Sequence, residues 1–525
     1  MRSPLSSFIK FVFVGPIVII AFISGCSEID RNKSHREISN SDIKKGKKLA
    51  SKYCQSCHAF PSPAMLDSKT WEDGVLPVMG PRLGIFHFQN KTYPSLRSDM
   101  TVDPGYYPSA PLVSEEEWAN IIKYYLAVAP DTLTGNNNGG GRIKSGLPGF
   151  KVNIPAFKYD DPSTTLIKII EQGNKKEIIV NDALRHILYR FNSKTELLDT
   201  VKSSGPLVDV EINNGRWISC DIGVMSPNTG KHGSVRSISL NSNGGLQEDP
   251  GFLFNKLERP VQVTAADFNV DGKTDYLVCE FGYLTGALSW MESKGNDKFV
   301  RHILRALPGA IKAYIEDYNH DGLPDVWVLF AQGEEGVFRY TNAGNGRFKE
   351  EEVLRFPPVN GSSYFEMVDF DRDGYQDIIY TCGDNADYSA ILKPYHGVYV
   401  FTNDGEFNFK QKYFFHINGC FKAAARDYDN DGDLDIAAIS FFANYRDNPD
   451  EGFVYLQNEG NYSFVPYTFP EAKSGRWLTM DTGDIDGDGK LDVVLGNFSI
   501  GPVMMNSKVD WKKGPPFIVL ENVGK

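Results

Sequence analysis

The feature that most constrains the fold of this chain is a nine-residue acidic pattern that occurs five times in its second half. Asp stands at positions 1, 5 and 9, Asp or Asn at position 3, and Gly at position 6. The copies begin at Asp267, Asp317, Asp369, Asp427 and Asp484, so the spacings are 50, 52, 58 and 57 residues. A period of this size is typical of repeat folds in which each unit buries its apolar face against the next.

The same pattern supplies the ligands that a hard divalent cation requires. Oxygen atoms at positions 1, 3, 5 and 9, with Gly at the sharp bend, suit the flexible oxygen shell of Ca²⁺. The loops differ from EF-hands because they lack both the bidentate Glu at position 12 and the flanking helices. We therefore expect up to five Ca²⁺ ions that stiffen these loops rather than perform chemistry. The predicted ligands are Asp267, Asn269, Asp271 and Asp275; Asp317, Asn319, Asp321 and Asp325; Asp369, Asp371, Asp373 and Asp377; Asp427, Asp429, Asp431 and Asp435; and Asp484, Asp486, Asp488 and Asp492.

An apolar segment such as Tyr276-Leu277-Val278 follows each copy, and this combination resembles FG-GAP/VCBS repeats. The resemblance implies that the loops lie between strands of β-propeller blades. Two weaker copies precede the five: one contains Asp209, 58 residues before Asp267, and the other is a strand group from Leu166 to Val180. The sequence therefore predicts an all-β propeller of about seven blades over residues 151–525, with six or eight still open.

The N-terminal third carries a different motif, Cys54-Gln55-Ser56-Cys57-His58. In this spacing two thiols on one helical turn can form thioethers with the vinyl groups of a haem, and the adjacent imidazole reaches the iron. A bare C-x-x-C could instead be a redox disulfide or half of a zinc site. The following His and the signs of export described below favour one covalent haem c.

The flanks of this motif predict helices. Ser41 or Asp42 is placed to cap the first helix, Gly46 suits a close helix crossing, and Ser114 with Glu117 forms a capping box for a later amphipathic helix. An N-terminal helix that ends in the haem motif and a C-terminal amphipathic helix resemble the class I cytochrome c fold. The resemblance implies a small all-α haem domain over residues 41–130.

The sixth iron ligand is open among three methionines. Met79, within the apolar segment Val75-Leu76-Pro77-Val78-Met79, is similar to the methionine-bearing stretch of related bacterial haem domains and is favoured. Met100 and Met65 remain alternatives, as does an open coordination site. A thioether ligand would raise the potential and indicate electron transfer, whereas an open site would permit small-molecule chemistry.

The extreme N-terminus is typical of an export signal. Arg2 and Lys10 precede an apolar stretch from Phe11 to Ile23, which is too short to span a membrane comfortably. The small residues before Cys26 resemble a bacterial lipobox, and this implies cleavage after residue 25 and lipidation of Cys26. We expect a signal peptide (1–25), a tether (26–40) and a Gly/Asn-rich linker (131–150), with the protein lipid-anchored on the periplasmic side of a membrane or at the cell surface.

The net charge of −12 argues against nucleic acid as a partner. The leading hypothesis is a membrane-anchored electron-transfer protein whose propeller docks a redox partner or binds a protein or polysaccharide. The rival is an oxidoreductase in which the propeller oxidises a substrate and passes the electrons to the haem, but no second cofactor site is visible. A third hypothesis, adhesion, would make the haem incidental.

Two further sets of residues bear on these hypotheses. Polar residues at similar offsets after the inner strand of each repeat are expected to converge on one propeller face around the central channel: Glu280, Gln332, Asp384, Asn385, Asn444 and Asn497. Cys220, Cys279, Cys382 and Cys420 lie in different repeats, so they are either buried thiols or disulfides that bridge blades, with three pairings possible.

Overall fold

A computed structural model describes residues 31–133, 141–172, 175–213, 215–240, 245–386, 389–501 and 509–524. The predicted signal peptide and Cys26 lie outside these residues. The chain forms a small helical unit followed by a large β unit. In the ranges that the structure describes, no helix has the length and apolar character needed to cross a membrane.

The helical unit contains two long helices that cross each other, α1 (Asn40–Tyr53) and α4 (Glu115–Val128). Between them lie α2 (Ser68–Thr70), a π-helical turn (Trp71–Val75), α3 (Leu76–Arg82) and the two-stranded hairpin β1 (His87–Phe88) and β2 (Lys91–Thr92). Short 3₁₀ turns cover Cys54–Ser56 and Pro63–Met65. The core of this unit is rich in aromatic side chains, among them Trp71, Trp118 and Tyr125.

The helix termini follow the sequence signals with one difference. The predicted capping box is present at α4, where Ser114 and Glu117 each accept a hydrogen bond from the other's backbone. The prediction of Ser41 or Asp42 as the cap of α1 is wrong, because Ser39 is the N-cap and accepts from the backbone N–H of Asp42. An N-cap hydroxyl must lie two or three residues before the N–H it accepts from, and the helix begins early enough to place Ser39 there.

The two helices touch at Gly46, which is buried. A Cβ atom at this position would lie 2.1 Å from the backbone oxygen of Asn120 and 2.6 Å from the Cβ atom of Tyr124. The predicted close crossing is therefore confirmed. Only hydrogen at this position lets the helices approach so closely.

We expect Gly46→Val to destabilise the helical unit by about 3 kcal/mol, because the added atoms meet backbone that cannot move aside. Thermal unfolding followed by far-ultraviolet circular dichroism measures the loss. Ser51→Val is the matched control, since Ser51 is exposed on the same helix and receives the same β-branched side chain. Equal melting curves for the two variants would contradict the close-crossing account.

Across the described residues the β unit consists of seven sheets, each built on four antiparallel strands, and two of them carry a fifth strand; this confirms the prediction of about seven blades. The strands of each blade follow one another from the innermost strand outward. Blades 1 to 3 are β5 (Thr164–Gln172), β6 (Lys175–Asp182), β7 (Ile187–Asn192) and β8 (Leu197–Lys202); β9 (Leu207–Asn213), β10 (Arg216–Asp221), β11 (Gly233–Leu240) and β12 (Leu246–Glu248), with β13 (Phe254–Leu257) added to β11; and β14 (Pro260–Ala266), β15 (Asp275–Glu280), β16 (Ala287–Ser293) and β17 (Phe299–Arg305). Blades 4 to 6 are β18 (Ala310–Glu316), β19 (Asp325–Phe330), β20 (Gly336–Asn342) and β21 (Phe348–Arg355); β22 (Ser362–Val368), β23 (Asp377–Cys382), β24 (Gly397–Asn403) and β25 (Phe409–His416); and β26 (Cys420–Arg426), β27 (Asp435–Ser440), β28 (Phe453–Asn458) and β29 (Phe464–Thr468).

Blade 7 closes the ring with strands from both ends of the propeller sequence. Its inner three strands are β30 (Trp477–Gly483), β31 (Asp492–Asn497) and β32 (Phe517–Asn522), and its outermost strand is β4 (Phe150–Asn153). A second early strand, β3 (Lys144–Ser145), adds in parallel to β29 of blade 6. The two ends of the propeller sequence are thus hydrogen-bonded together, and separating them would break blade 7.

Side chains of the innermost strands link neighbouring blades around the central channel. Carboxylates on three strands accept backbone N–H groups from the next blade, at 2.8 to 3.0 Å: Asp209 from Val263, Glu366 from Ala425 and Asp481 from Ile169. The last of these joins blade 7 to blade 1. Glu366 is buried, and Asp209 and Asp481 are partly buried. Hydrogen-bond partners lower the cost of burying such groups, and these bonds link neighbouring blades.

Asp209 does not lie in a loop equivalent to the one that begins at Asp267, although the 58-residue spacing predicted this. It lies in the middle of β9, whereas Asp267 follows the end of β14. The weak copy therefore marks blade 2 but is out of register with the five acidic loops. Spacing alone cannot distinguish a strand carboxylate that faces a neighbouring strand from a loop carboxylate.

The described cysteines are unpaired. Cys220, Cys279, Cys382 and Cys420 are buried and lie in four different apolar clusters between the blades. Of the two alternatives left open by the sequence, the structure has buried thiols.

Candidate functional site

The five acidic loops connect the first strand of a blade to the second, in blades 3 to 7, and they share one geometry. In every copy the N–H of the Gly at position 6 donates to the carboxylate at position 1, at 2.8 to 3.3 Å. The N–H of position 7 donates to the carboxylate at position 5, at 2.9 to 3.0 Å. Positions 4 and 6 are left-handed in every copy, with φ between 56° and 105°. The acidic side chains are consequently drawn inward around the loop.

The Asp at position 9 has a structural role that the ligand pattern did not reveal. Its side chain is buried in all five copies and accepts a hydrogen bond from the backbone N–H of the last residue of the blade's third strand, at 2.7 to 2.8 Å. Burial raises the pKa of this carboxyl in every copy, to about 6 at Asp377, Asp435 and Asp492. Position 9 therefore anchors the loop to its blade.

Three of the loops bring carboxylate oxygens within 4.8 Å of one another: Asp369, Asp371 and Asp377; Asp427, Asp429 and Asp431; and Asp484, Asp486 and Asp488. In the first group the Oδ1 atom of Asp369 is buried and has no hydrogen-bond partner. An unpaired buried carboxylate oxygen among other carboxylates is costly unless a cation neutralises it. In the first two copies Asn269 and Asn319 replace one carboxylate, and Asp373 lies in the third loop outside the group of three.

The predicted haem-attachment residues lie at the end of α1. Cys54 opens the 3₁₀ turn that follows the helix, Cys57 is exposed directly after the turn, and His58 is half-buried beside it. The Nδ1 atom of His58 lies 2.8 Å from the carbonyl oxygen of Ala59. When Nδ1 carries the proton and donates to that carbonyl, Nε2 is left as the ligating nitrogen.

Burial governs the electrostatics of this site. It raises the pKa of the Cys54 thiol to about 11 and lowers the pKa of His58, so that the imidazole is neutral at pH 7. The positive charges of Arg82 and Arg355 lower the pKa of His58 further, while the Ala59 carbonyl and Glu334 oppose them. A neutral imidazole is the form that ligates a metal.

The three candidate methionines have different environments. Met79 lies in α3 and packs with Met65 against the core of the helical unit, together with Phe60 and Leu83. Met100 is 100% exposed. Its thioether contacts no core residue of this unit, and an apolar side chain that ligates a buried metal would ordinarily be covered.

The helical unit contacts the propeller face opposite the acidic loops. The hydroxyl of Tyr395 donates to the carbonyl oxygens of Met65 and Val359, at 3.2 Å each. Val359 and Ile391 pack against the core of the helical unit. At blade 2, Thr229 hydrogen-bonds to Asp99 at 3.3 Å. No sequence signal indicated this docking, because each contact residue is an ordinary loop residue in its own repeat.

The polar loop residues at the ends of the second strands lie on this same docked face: Glu280, Gln332, Asp384, Asn385, Asn444 and Asn497. Most have structural partners. Glu280 accepts from Ser289 and pairs with Arg301, and the side-chain amide of Asn497 donates to the carbonyl oxygens of Trp511 and Pro515. Glu280 and Asn497 therefore hold loops in place, whereas the Oε1 atom of Gln332 is buried without a hydrogen-bond partner.

Three solved structures show a limited similarity to this chain. BBS1N in complex with ARL6DN is 9% identical, with a TM-score of 0.44 over 73% of this chain and 98% of that chain. A virginiamycin B lyase from Staphylococcus aureus is 12% identical, with a TM-score of 0.42 over 71% and 98%. The Dos1 propeller is 9% identical, with a TM-score of 0.40 over 69% and 78%. No curated protein matches this chain in sequence.

Two segments of the sequence match a known repeat family. The FG-GAP-like repeat matches residues 317–380 and 440–495, which include the acidic loops of blades 4 and 5 and, in the second range, that of blade 7. The chain therefore carries FG-GAP-like repeats, and they form part of a seven-bladed β-propeller.

Proposed function

We propose that this protein is an exported, lipid-anchored electron-transfer protein with one haem c on its helical unit and Ca²⁺ in the acidic loops of its propeller. The observation that carries the proposal is the site at the end of α1, where two thiols and a neutral imidazole follow one another beside an apolar wall. Lipidation at Cys26 belongs to the proposal and rests on the sequence alone.

The residues at this site suit the proposed group. Cys54 and Cys57 would hold it covalently, and His58 would supply the axial nitrogen. Met79, Met65, Phe60 and Leu83 present apolar surface on the same unit. Such a group would supply reversible one-electron oxidation and reduction.

Other residues of the chain orient the axial ligand and keep the attachment turn rigid. The Ala59 carbonyl orients the imidazole of His58 through Nδ1, and a correctly oriented ligand is held without reorganisation when the charge changes. The crossing of α1 and α4 at Gly46 gives the attachment turn a rigid base. Rigid surroundings favour electron transfer because little of the protein must move with the electron.

Calcium fits the acidic loops for a separate reason. The oxygen clusters, the unpaired buried Oδ1 atom of Asp369 and the common loop geometry all suit a cation with oxygen ligands. Bound ions would neutralise much of the net charge of −12 and stiffen one face of the propeller. We propose that this platform docks the redox partner, or a protein or polysaccharide that places the protein near that partner.

Met79→Ala tests the sixth ligand. On protein matured in a host that attaches haem c, we expect this variant alone to lose the weak oxidised absorption band near ~695 nm that marks a thioether bonded to iron. Met100→Ala is the matched control, since that side chain is fully exposed. Retention of the band in Met79→Ala would contradict the assignment, and its loss in Met65→Ala would move the ligand there.

The same preparation tests the proposal against its rival. An electron-transfer protein should contain haem as its sole redox group. A flavin or quinone that co-purifies, or an iron that is open in the wild type, would instead favour a propeller oxidoreductase.

A further inference from the structure

The contacts between the two units place propeller residues beside the predicted haem-attachment site. Tyr395 belongs to the loop between β23 and β24, and Val359 to the connection between blades 4 and 5. The Tyr395 hydroxyl joins Val359 to Met65 of the helical unit. Val359 is 7% exposed because the helical unit covers it.

The helical unit contacts the propeller at two separate blades. Thr229 contacts Asp99 at blade 2, whereas Tyr395, Val359 and Ile391 belong to the connections of blade 5. In a ring of seven blades, blades 2 and 5 stand on opposite sides. Two separated contacts fix the orientation of a small unit far better than one contact does.

A charged group stands at the edge of this interface. Glu334 is held between Arg305 and Arg355, with the Arg355 guanidinium 3.2 Å from the Oε1 atom. Arg355 is the last residue of β21, and four residues later Val359 packs into the core of the helical unit that carries His58. A half-buried charge pair is poorly screened by solvent, so its field reaches the site.

We propose that blades 4 and 5 form one wall of the haem pocket, and that Glu334 and Arg355 are positioning residues that set the redox potential of the haem. This inference rests on the proposed function. The wall limits solvent at the site, and the two charges act in opposite directions on the oxidised form. The propeller then regulates the electron carrier to which it is joined.

Redox titration of the full-length holoprotein measures the midpoint potential and tests whether Glu334 and Arg355 influence it. Arg355→Gln removes a positive charge that disfavours the oxidised iron, so the midpoint potential should fall. Glu334→Gln removes a negative charge, so the potential should rise. Arg347→Gln is the matched control, since Arg347 is exposed at the turn between β20 and β21 on the opposite face of the same blade, and it should leave the potential unchanged.

Hydrogen exchange of the same preparations tests the contact independently of the potential. In Tyr395→Phe the hydrogen bonds to Met65 and Val359 are lost, and we expect peptides over residues 59–66 and 389–396 to exchange faster together. If the potentials of Arg355→Gln and Glu334→Gln shift no more than that of the control, the proposal that blades 4 and 5 form a wall of the haem pocket is wrong. Unlinked exchange of the two segments would also overturn it. Absence of covalent haem from the wild type would instead overturn the proposed function.

Discussion

Replacing Cys54 and Cys57 together with serine is expected to abolish covalent haem entirely, so that no haem remains on the denatured chain. Serine is close to cysteine in size, but its hydroxyl forms no thioether. Cys57 is exposed and Cys54 is half-buried, so the fold should tolerate both changes. Haem staining of the chain after denaturing electrophoresis measures the loss.

Two companion variants separate attachment from ligation. His58→Ala should keep covalent haem and lose the low-spin spectrum, because the thioethers remain while the axial nitrogen is gone. Cys220→Ser is the control thiol, since Cys220 lies in the propeller core and its removal should leave haem staining at the wild-type level. Haem that persists on the Cys54→Ser, Cys57→Ser chain would show that the motif has another role.

Removal of Ca²⁺ is expected to lower the melting temperature of the propeller by about 10 °C or more. A single ion at 100 times its dissociation constant contributes about 2.7 kcal/mol, and each kcal/mol shifts the melting temperature of a large domain by about 2–4 °C. Several equivalent loops make the effect large. Calorimetry of the full chain in Ca²⁺ and after chelation measures it.

The acidic loop of blade 6 offers a matched pair of variants. Asp431→Asn removes one charge from the predicted ligand group, whereas Asp433→Asn removes one charge from the same loop outside the ligand positions. Both residues are exposed, and asparagine keeps an acceptor oxygen for the backbone N–H that Asp431 holds. Only Asp431→Asn should weaken Ca²⁺ binding in isothermal titration. Equal affinities for the two variants would contradict the assignment.

The pH dependence of stability follows from the position 9 carboxyls. In the metal-free propeller the pKa values of Asp377, Asp435 and Asp492 are about 6, above the usual value of 3.8. The folded state then holds more protons than the unfolded state between those values, so the metal-free propeller should gain stability as the pH falls towards 4. Bound Ca²⁺ favours the ionised carboxylates, so its stabilising effect should shrink below pH 6.

The strongest sequence signal was the acidic loop pattern, which repeats every 50 to 58 residues. Five copies of one loop predicted the blade period, and two weaker strand groups completed a count that the seven sheets confirm. Asp209 shows the limit of this reasoning, because a carboxylate at the expected spacing lies in a strand and binds a neighbouring backbone N–H. The spacing of the repeats predicts the number of blades better than it predicts where a residue lies within a blade that lacks the full pattern.

The sequence did not predict which strands pair across long distances in the chain. Phe150–Asn153 begins at the predicted linker boundary, yet it is the outer strand of blade 7, more than 300 residues away in the chain. The docking of the helical unit is similar, since Tyr395, Val359 and Thr229 carry no local signature of an interface. Such contacts arise from shape in three dimensions, and one sequence records only their residue types.

The wild-type protein itself can show whether this chain is an electron carrier with covalent haem. The protein should be produced in a host that attaches haem c, and its intact mass, visible spectrum and redox titration should be measured on one preparation. We expect the mass of the mature chain from Cys26 plus its lipid and one haem, a low-spin ferrous spectrum and a reversible one-electron transition. A chain without added haem mass, or with haem that undergoes no reversible transition, would contradict this expectation.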